Sequence, residues 1–345
     1  MLSTARSWGW VVRRLAGGLL LAAITAGAAQ AQSVADFYRG KNLNLLIGVG
    51  VGGEYDTQAR LIGRYIGKYI PGNPNVVAQN MIGASGLKMA NHLYTLTPKD
   101  GSYIGMLSNN LPMREILGDK SIQFEAAKFN WIGSMSPLVE VMITWHETGV
   151  KTIEDARRQE LVAGTSSKGS VHYFITATMN DFLGTKFKIV TGYENGSQMN
   201  LAMERGEVHA RVIAWSAVKV TKPDWIAGNK INVLLQAGSK ARDLPDVPTL
   251  ESLARNDEER QVIELLSSAD KIGRPLTTTP DVPPERLLAL RAAFLTTMKD
   301  PDLLRDAEGA RMDVEPITGE EMQQIILTLR QTPKAAIARA QKFVD

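Results

Sequence analysis

The chain has no cysteine and only four histidines among its 345 residues. The absence of cysteine excludes both a disulfide framework and thiolate chemistry. The histidines are scattered, with no H-x-x-H or H-E-x-x-H spacing, so the sequence predicts no metal centre. A chain of this length without disulfides must be held together by an ordinary buried core.

Long apolar runs are missing after residue 31. Residues 1–31 contain three arginines, an apolar run from Leu15 to Ala29 and the small-residue sequence Ala29-Gln30-Ala31. This order is typical of a secretory signal peptide cleaved after Ala31. Because the apolar run is shorter than the roughly 20 residues of a membrane span, we expect export to the periplasm, by the Sec or the twin-arginine route.

An excess of charge of one sign is also missing. The formal net charge is +3, from 39 basic and 36 acidic residues. The predicted signal peptide holds three arginines and no acid, so residues 32–345 carry a formal charge of 3 − 3 = 0. Nothing in this balance favours a nucleic-acid partner. The remaining 345 − 31 = 314 residues are enough for two domains.

What the sequence does contain is an alternation of β-rich and helical patterns, which predicts α/β layering. This alternation occurs in two halves separated by a break near residues 131–150. Strands are predicted at 42–47, 75–79, 103–107, 161–163, 187–191, 208–214 and 231–236. From Pro284 onward the pattern is helical.

A glycine-rich turn, Gly48 to Gly53, follows the first predicted strand and precedes a helix for which Asp56 is the predicted N-cap. Backbone amides in such a turn can hold an anion. The G-x-G-x-x-G spacing alone suggests a dinucleotide, but no acidic residue lies between Asp56 and Asp100 to bind a ribose. Small or polar turns also follow the other predicted strands, at 83–86, 108–110, 164–170 and 192–197. Ligands of α/β sheets bind at such strand ends, so we expect a shared anion site.

A secreted hydrolase is the enzymatic alternative. Gly83-Ala84-Ser85-Gly86 lacks the G-x-S-x-G spacing of a nucleophile elbow. Ser170 and His172 are close in sequence, but the partners of a catalytic triad are assembled by the fold rather than by sequence proximity. We therefore favour a non-catalytic role and place His172 on the first turn of a helix near a polar cleft.

Six motifs occur in a fixed order along the chain. Val51 to Arg60 resembles A-G-G-x-x-D-x-x-A-R, Gln79 to Gly86 resembles E-N-x-x-G-A-G-G, and Pro98 to Tyr103 resembles P-D-G-Y. Gly164 to Ser170, with His172 nearby, resembles G-S-x-G-x-G-S-x-x-H. Tyr193 to Val208 and Leu244 to Leu250 resemble Y-x-G-x(n)-G-x-V-D and L-P-D-V-P-T. In this order the motifs resemble those of the extracytoplasmic solute-binding receptors of tripartite tricarboxylate transporters, the Bug family. The resemblance runs from about Tyr38 to the C-terminal helices.

The resemblance implies a type II periplasmic-binding-protein fold, with two α/β lobes joined by two crossing strands around a ligand cleft. The first lobe would comprise residues 32–137 and 273–345, and the second residues 138–272. It implies a small organic carboxylate as ligand, a two-component integral membrane permease as partner, and no cofactor. An alternative partner is a membrane sensor kinase that reads the closed lobes.

The ligand-binding residues expected on this basis lie in turns of both lobes. Amides around Gly52, Gly53, Ser85 and Gly86 would hold a carboxylate from the first lobe, with Asp56 capping the helix behind them. Hydroxyl and amide groups of the second lobe would complete the site. The full predicted set is Gly52, Gly53, Tyr55, Asp56, Ser85, Gly86, Asn109, Ser166, Ser170, His172, Tyr193, Asn195, Ser197 and Arg211, with Trp215 and Arg274 as further candidates for selectivity.

The sequence departs from the family pattern at several positions. Gly48 and Val49 replace a Pro or Phe, and His209 replaces the usual Asp. Arg211 adds a positive charge where the family is often neutral or acidic, and Gly273-Arg274-Pro275 replaces a more apolar hinge segment. These departures bear most directly on which ligand is bound.

Overall fold

A computed structural model describes residues 33–52, 54–168, 170–193 and 196–343. The predicted signal peptide, Gly53 and Asn195 therefore lie outside the described residues. In the described part of the chain, no helix is long and apolar enough to cross a membrane.

Strands and helices alternate along the described chain. The strands are β1 Asn42–Ile47, β2 Asn75–Asn80, β3 Tyr103–Met106, β4 Asn130–Ser134, β5 Val139–Trp145, β6 Leu161–Gly164, β7 Phe187–Val190, β8 Ala210–Ala214, β9 Ile231–Gly238, β10 Leu276–Thr278 and β11 Ile317–Thr318. The helices are α1 Val34–Tyr38, α2 Glu54–Ile66, α3 Leu87–Thr95, α4 Leu111–Ile116, α5 Ile153–Arg158, α6 Val171–Leu183, α7 Gly196–Glu204, α8 Trp215–Thr221, α9 Pro223–Ala227, α10 Asp257–Leu266, α11 Ser268–Lys271, α12 Pro284–Thr297, α13 Pro301–Gly309, α14 Gly319–Leu329 and α15 Lys334–Gln341.

These strands form two sheets with the same internal arrangement. The first sheet has the order β11-β4-β10-β3-β1-β2 and the second β7-β6-β8-β5-β9. In each, three parallel strands (β2-β1-β3 and β7-β6-β8) are followed by an antiparallel one, β10 or β5. The predicted α/β architecture with two sheets is confirmed.

The antiparallel strand of each sheet follows directly after a crossing between the sheets. The chain crosses first between β4 and β5, and returns between α11 and β10. The two crossings are bonded to each other, since the Arg274 amide donates to Ser134 Oγ at 3.0 Å and the Leu138 amide donates to the Asp270 carbonyl at 2.8 Å. They form the connection between the lobes.

The first crossing and its flanking strands lie in the stretch near residues 131–150, which was predicted to be a break between the two halves. Residues 131–150 in fact hold most of β4 and all of β5, and β5 pairs with both β8 and β9. Its Val141, Met142 and Ile143 are fully buried. A strand that is buried on both faces lacks the alternation of a half-buried one, which is why β5 carries little periodic signal.

The core of the first sheet follows the pattern expected of a central parallel strand. In β1, Leu43, Leu45, Leu46 and Ile47 are at most 2% exposed, because helices cover both faces. The last helix, α15, packs against α10, which follows the second sheet in the chain. There the ring of Phe343 lies 5.7 Å from that of Phe182.

Candidate functional site

Three loops at the carboxyl ends of β1, β2 and β3 meet at one edge of the first sheet. A Cβ on Gly48 would lie 2.9 Å from Gly86 Cα, and a Cβ on Gly86 would lie 2.3 Å from Ser108 Oγ. Only glycine permits this approach, and Gly86 also has the left-handed φ of +88°. The predicted convergence of these turns is therefore present in the fold.

Asp56 lies behind these loops, but not as the predicted N-cap. Helix α2 begins at Glu54, which places Asp56 inside its first turn with 2% exposure. Its carboxylate accepts hydrogen bonds from the Gly52 amide (2.9 Å), Arg60 Nε (2.9 Å) and Asn80 Nδ2 (2.8 Å). The N-cap prediction is wrong, and the Gly52 amide donates to the protein's own carboxylate in this conformation.

The ionisation of Asp56 is set by two opposing effects. Burial favours the neutral form and raises its pKa, while the hydrogen bonds from Arg60, Gly52 and Asn80 favour the charged form. The hydrogen bonds prevail and lower the pKa of Asp56 to about 2. Asp56 is thus an anion at neutral pH that holds the glycine turn in place.

The second turn, Gly83 to Gly86, has an unusual backbone. Ala84 and Ser85 have φ values of 47° and 55°, although neither is glycine. Such left-handed residues cost on the order of 1–3 kcal/mol each and often occur where a backbone is shaped for a ligand. Ser85 is exposed at this edge, whereas the Gly86 amide is already bonded to the Gly83 carbonyl at 3.0 Å.

Tyr55, Asn109 and Arg274 form a connected group between the loops and the crossings. The Asn109 amide donates to Tyr55 Oη at 3.2 Å, and Asn109 Nδ2 donates to the Ala269 carbonyl at 3.0 Å. The Arg274 guanidinium carbon lies 5.5 Å from the Tyr55 ring centre, and Arg274 forms an ion pair with Glu54. Burial raises the pKa of Tyr55 to about 12, so its hydroxyl stays protonated.

In the second lobe, the loop after β6 approaches the loop after β7. The Gly192 amide donates to the Ser166 carbonyl at 3.1 Å, and Ser166 is exposed. Ser170 is the N-cap of α6, accepting from the Tyr173 amide at 3.2 Å and donating to the Ser167 carbonyl at 2.8 Å. The Ser170 hydroxyl therefore makes its hydrogen bonds to the backbone of its own loop and helix.

Tyr193, Ser197 and Arg211 differ in their exposure. The Tyr193 ring covers Gly164, where an added Cβ would lie 3.3 Å from Tyr193 Cε2, and Ser197 is exposed at the start of α7. Arg211 is 2% exposed and donates to the Gly196 carbonyl (2.9 Å) and Asn200 Oδ1 (2.6 Å). Burial lowers its pKa to about 10, so it remains charged and supports the start of α7 from beneath.

His172 lies on the first turn of α6, as predicted, and faces a carboxylate that is not in the predicted set of site residues. Its Nε2 is 3.3 Å from Glu140 Oε2, and Glu140 is 6% exposed at the start of β5. Asp270, 1% exposed, lies just before the second crossing. Its pKa is raised well above the usual range by burial and by the charges of Glu140 and Glu251. A charged residue inside the apolar run of β5 was the available signal for Glu140.

A cavity of about 400 Å³ lies between the lobes, lined by the two crossings and by residues of both lobes. Its lining includes Trp215 and Arg274, the two further candidates for selectivity, but none of the described residues of the main predicted set. Glu54 and Gln58 of α2 line it from the first lobe, and residues 215–220 and 239–243 from the second. Arg274 therefore connects this cavity to the group formed with Tyr55 and Asn109.

No protein-family model and no curated sequence matches the chain. Among solved structures, it is similar to a TctC solute-binding protein from Polaromonas, with a TM-score of 0.67 and 18% identity, covering 89% of this chain and 99% of the other. It is also similar to MatC from Rhodopseudomonas palustris with bound malate, with a TM-score of 0.59 and 16% identity, covering 89% of this chain and 99% of the other. A third similar structure is a Rhodopseudomonas palustris protein with adipate, with a TM-score of 0.59 and 18% identity, covering 88% of this chain and 96% of the other.

The chain has the fold of periplasmic solute-binding proteins. The predicted fold class is thereby confirmed, and the similar structures are of the TctC and Bug type that the motifs indicated. At these identities the likeness is one of fold. It leaves the ligand to be argued from this chain's own residues.

Proposed function

We propose that this chain is a receptor of the tripartite tricarboxylate type, which captures a small organic carboxylate in the periplasm and delivers it to a two-component membrane permease. The observation that carries the proposal is the inter-lobe cavity of about 400 Å³, whose lining residue Arg274 contacts Tyr55 at the start of α2. It occurs in a fold whose similar structures include one with malate and one with adipate.

The proposed lobes are residues 32–137 with 273–345, and residues 138–272, following a signal peptide at 1–31. Each lobe then contains one of the two sheets, and the crossings form the hinge. A ligand that contacts both lobes stabilises the closed arrangement, because only that arrangement makes both sets of contacts. The closed lobes present the surface that the permease reads.

In the proposed site, the carboxylate lies at the edge formed by the first-lobe loops, near Ser85 and the Tyr55–Asn109 pair. Gly53 and Asn195, which lie outside the described residues, stay predicted members of the site. Asp56 does not touch the ligand but fixes the turn, and Ser170 and Arg211 act in the same way in the second lobe. Ser166, Tyr193 and Ser197 face the ligand from the second lobe, and His172 lies beside them.

Isothermal titration calorimetry of residues 32–345 against mono-, di- and tricarboxylates and acidic amino acids tests the proposal. We expect micromolar or tighter binding to at least one of them. Absence of binding to all of them contradicts the proposal, and turnover of a carboxyl ester would support the hydrolase instead. Uptake of the bound acid by cells with and without the gene then separates delivery to a permease from presentation to a sensor kinase.

A further inference from the structure

Arg274 is held in a fixed position at the wall of the inter-lobe cavity. Its amide donates to Ser134 Oγ at 3.0 Å, and the carbonyl of the next residue, Pro275, accepts from the Leu107 amide at 3.0 Å. Gly273, before it, has a φ of +62°, and a Cβ there would lie 1.9 Å from the Ser136 carbonyl oxygen. The hydrogen bonds and close packing of residues 273–275 therefore fix the backbone position from which the Arg274 side chain extends.

The side chain of Arg274 is 12% exposed and incompletely paired. It donates to Glu54 through Nη2, and its guanidinium carbon lies 5.5 Å from the Tyr55 ring centre. The buried Nε has no hydrogen-bond partner among the described residues. An arginine can bind a carboxylate through two parallel N–H donors, whereas Arg274 donates to Glu54 through Nη2 alone.

Glu54, the partner of Arg274, is easily moved. It lies at the first position of α2 with 54% of its side chain exposed. If another carboxylate takes its place, Glu54 returns to water and the guanidinium keeps a negative partner. The exchange leaves no buried charge unpaired, which is the main cost of breaking an ion pair.

The other carboxylates that line the cavity are paired with cations other than Arg274. The cavity's described lining has five cationic and four carboxylate side chains. Three of the carboxylates are already paired with other cations: Asp243 and Asp313 lie 3.8 and 3.4 Å from Lys219 Nζ, and Glu315 lies 3.2 Å from Arg242 Nε. The described lining thus has one more cation than carboxylates. Arg274 is the lining cation that contacts Glu54 and Tyr55 at the start of α2.

We propose that Arg274 is a second anion subsite, which binds the distal carboxylate of a ligand whose first carboxylate lies at the loops, and that Glu54 occupies this subsite until the ligand displaces it. The inference rests on the proposed function and narrows its ligand from any small carboxylate to one substrate class. The substrate class is a dicarboxylate with an apolar spacer, because Trp215 and Met312 form apolar parts of the cavity wall.

The test uses ligand pairs that differ only in the distal charge: adipate with its monomethyl ester, and succinate with its monomethyl ester, titrated calorimetrically. The variants are Glu54→Gln and Arg274→Gln, with Arg311→Gln as the matched control. Arg311 also lines the cavity, but it donates to the Val220 carbonyl.

For the better-bound dicarboxylate, we expect Arg274→Gln to weaken binding about tenfold or more, which corresponds to about 1.4 kcal/mol. Binding of its monoester should change by less than about twofold, as should both affinities in the Arg311→Gln control. Glu54→Gln should tighten dicarboxylate binding several-fold, because it removes the competing charge. As Glu54 is largely exposed, this variant tests the inference even if Arg274→Gln fails to fold.

Two results would overturn the inference while leaving the proposed function intact. One is an equal loss of diacid and monoester binding in Arg274→Gln, and the other is unchanged or weakened diacid binding in Glu54→Gln. If the unaltered protein binds neither acids nor esters, the proposed function fails first.

Discussion

At the scale of single residues, Asp56 organises the first loop, because one carboxylate accepts from the Gly52 amide, Arg60 and Asn80. Asp56→Asn removes the charge and turns one acceptor into a donor. We expect a loss of about 1–3 kcal/mol in the free energy of unfolding. Asp257→Asn is the matched control, since Asp257 is also in the first turn of a helix but 85% of its side chain is exposed. Its loss should stay below about 0.5 kcal/mol in urea titrations.

The same contacts give a pH dependence with a defined sign. The folded protein lowers the pKa of Asp56 from 3.8 to about 2, so this carboxylate stabilises the fold fully above pH 3.8. That contribution is lost as the pH falls from 3.8 toward 2. Urea titrations across this range should show a smaller drop in stability for Asp56→Asn than for the unaltered protein. Equal slopes would contradict the assignment.

Asp270 should act in the opposite direction. Burial, Glu140 and Glu251 raise its pKa well above 3.8, and the Tyr55 hydroxyl and the Glu140–His172 pair lie near it. A raised pKa means that its stabilising contribution is complete below pH 3.8 and is lost as the pH rises through the folded value. We expect Asp270→Asn, which is neutral at every pH, to flatten the decline in unfolding free energy above pH 4. A decline as steep as that of the unaltered protein would refute this.

At the scale of elements, the crossing at Gly273 can be compared with the turn at Gly40. Both glycines have left-handed φ values, +62° and +69°, but only at Gly273 would a Cβ clash, 1.9 Å from the Ser136 carbonyl oxygen. Gly40→Ala should cost about 1 kcal/mol from backbone strain alone. Gly273→Ala should cost at least about 2 kcal/mol more, because the two crossings must separate. Equal unfolding midpoints in urea would show that the crossing is not tightly held.

Some of the strands could be predicted from the sequence and others could not. Strands β1, β2 and β3 were predictable because short apolar runs end in glycine or polar turns, and their parallel pairing brings those turns together. Strands β4 and β5 were not, since a fully buried strand such as β5 lacks alternation. Pairing across the fold also had no local signal: Arg274 with Glu54 spans 220 positions, and Asn109 with Ala269 spans 160.

At the scale of the whole molecule, ion pairs between the lobes bear on how easily the cleft closes. Arg242 pairs with Glu315 at 3.2 Å and Lys219 with Asp313 at 3.4 Å, joining the second lobe to the segment after α13. These side chains are 35–86% exposed, so each pair contributes only about 0–1 kcal/mol. A ligand that contacts both lobes needs only a few kcal/mol of differential affinity to shift the equilibrium toward closure.

The absence of native cysteine allows this closure to be measured directly. Cysteines introduced at Lys88 on α3 and Lys188 on β7, both exposed and one in each lobe, can carry a donor and an acceptor dye. We expect the transfer efficiency to rise with carboxylate concentration and to saturate at the affinity found by calorimetry, since closure and binding are linked. In Arg274→Gln, the half-saturating dicarboxylate concentration should rise about tenfold, while the efficiency at saturation should stay the same. An efficiency that stays constant at saturating ligand would mean that capture occurs without movement of the lobes.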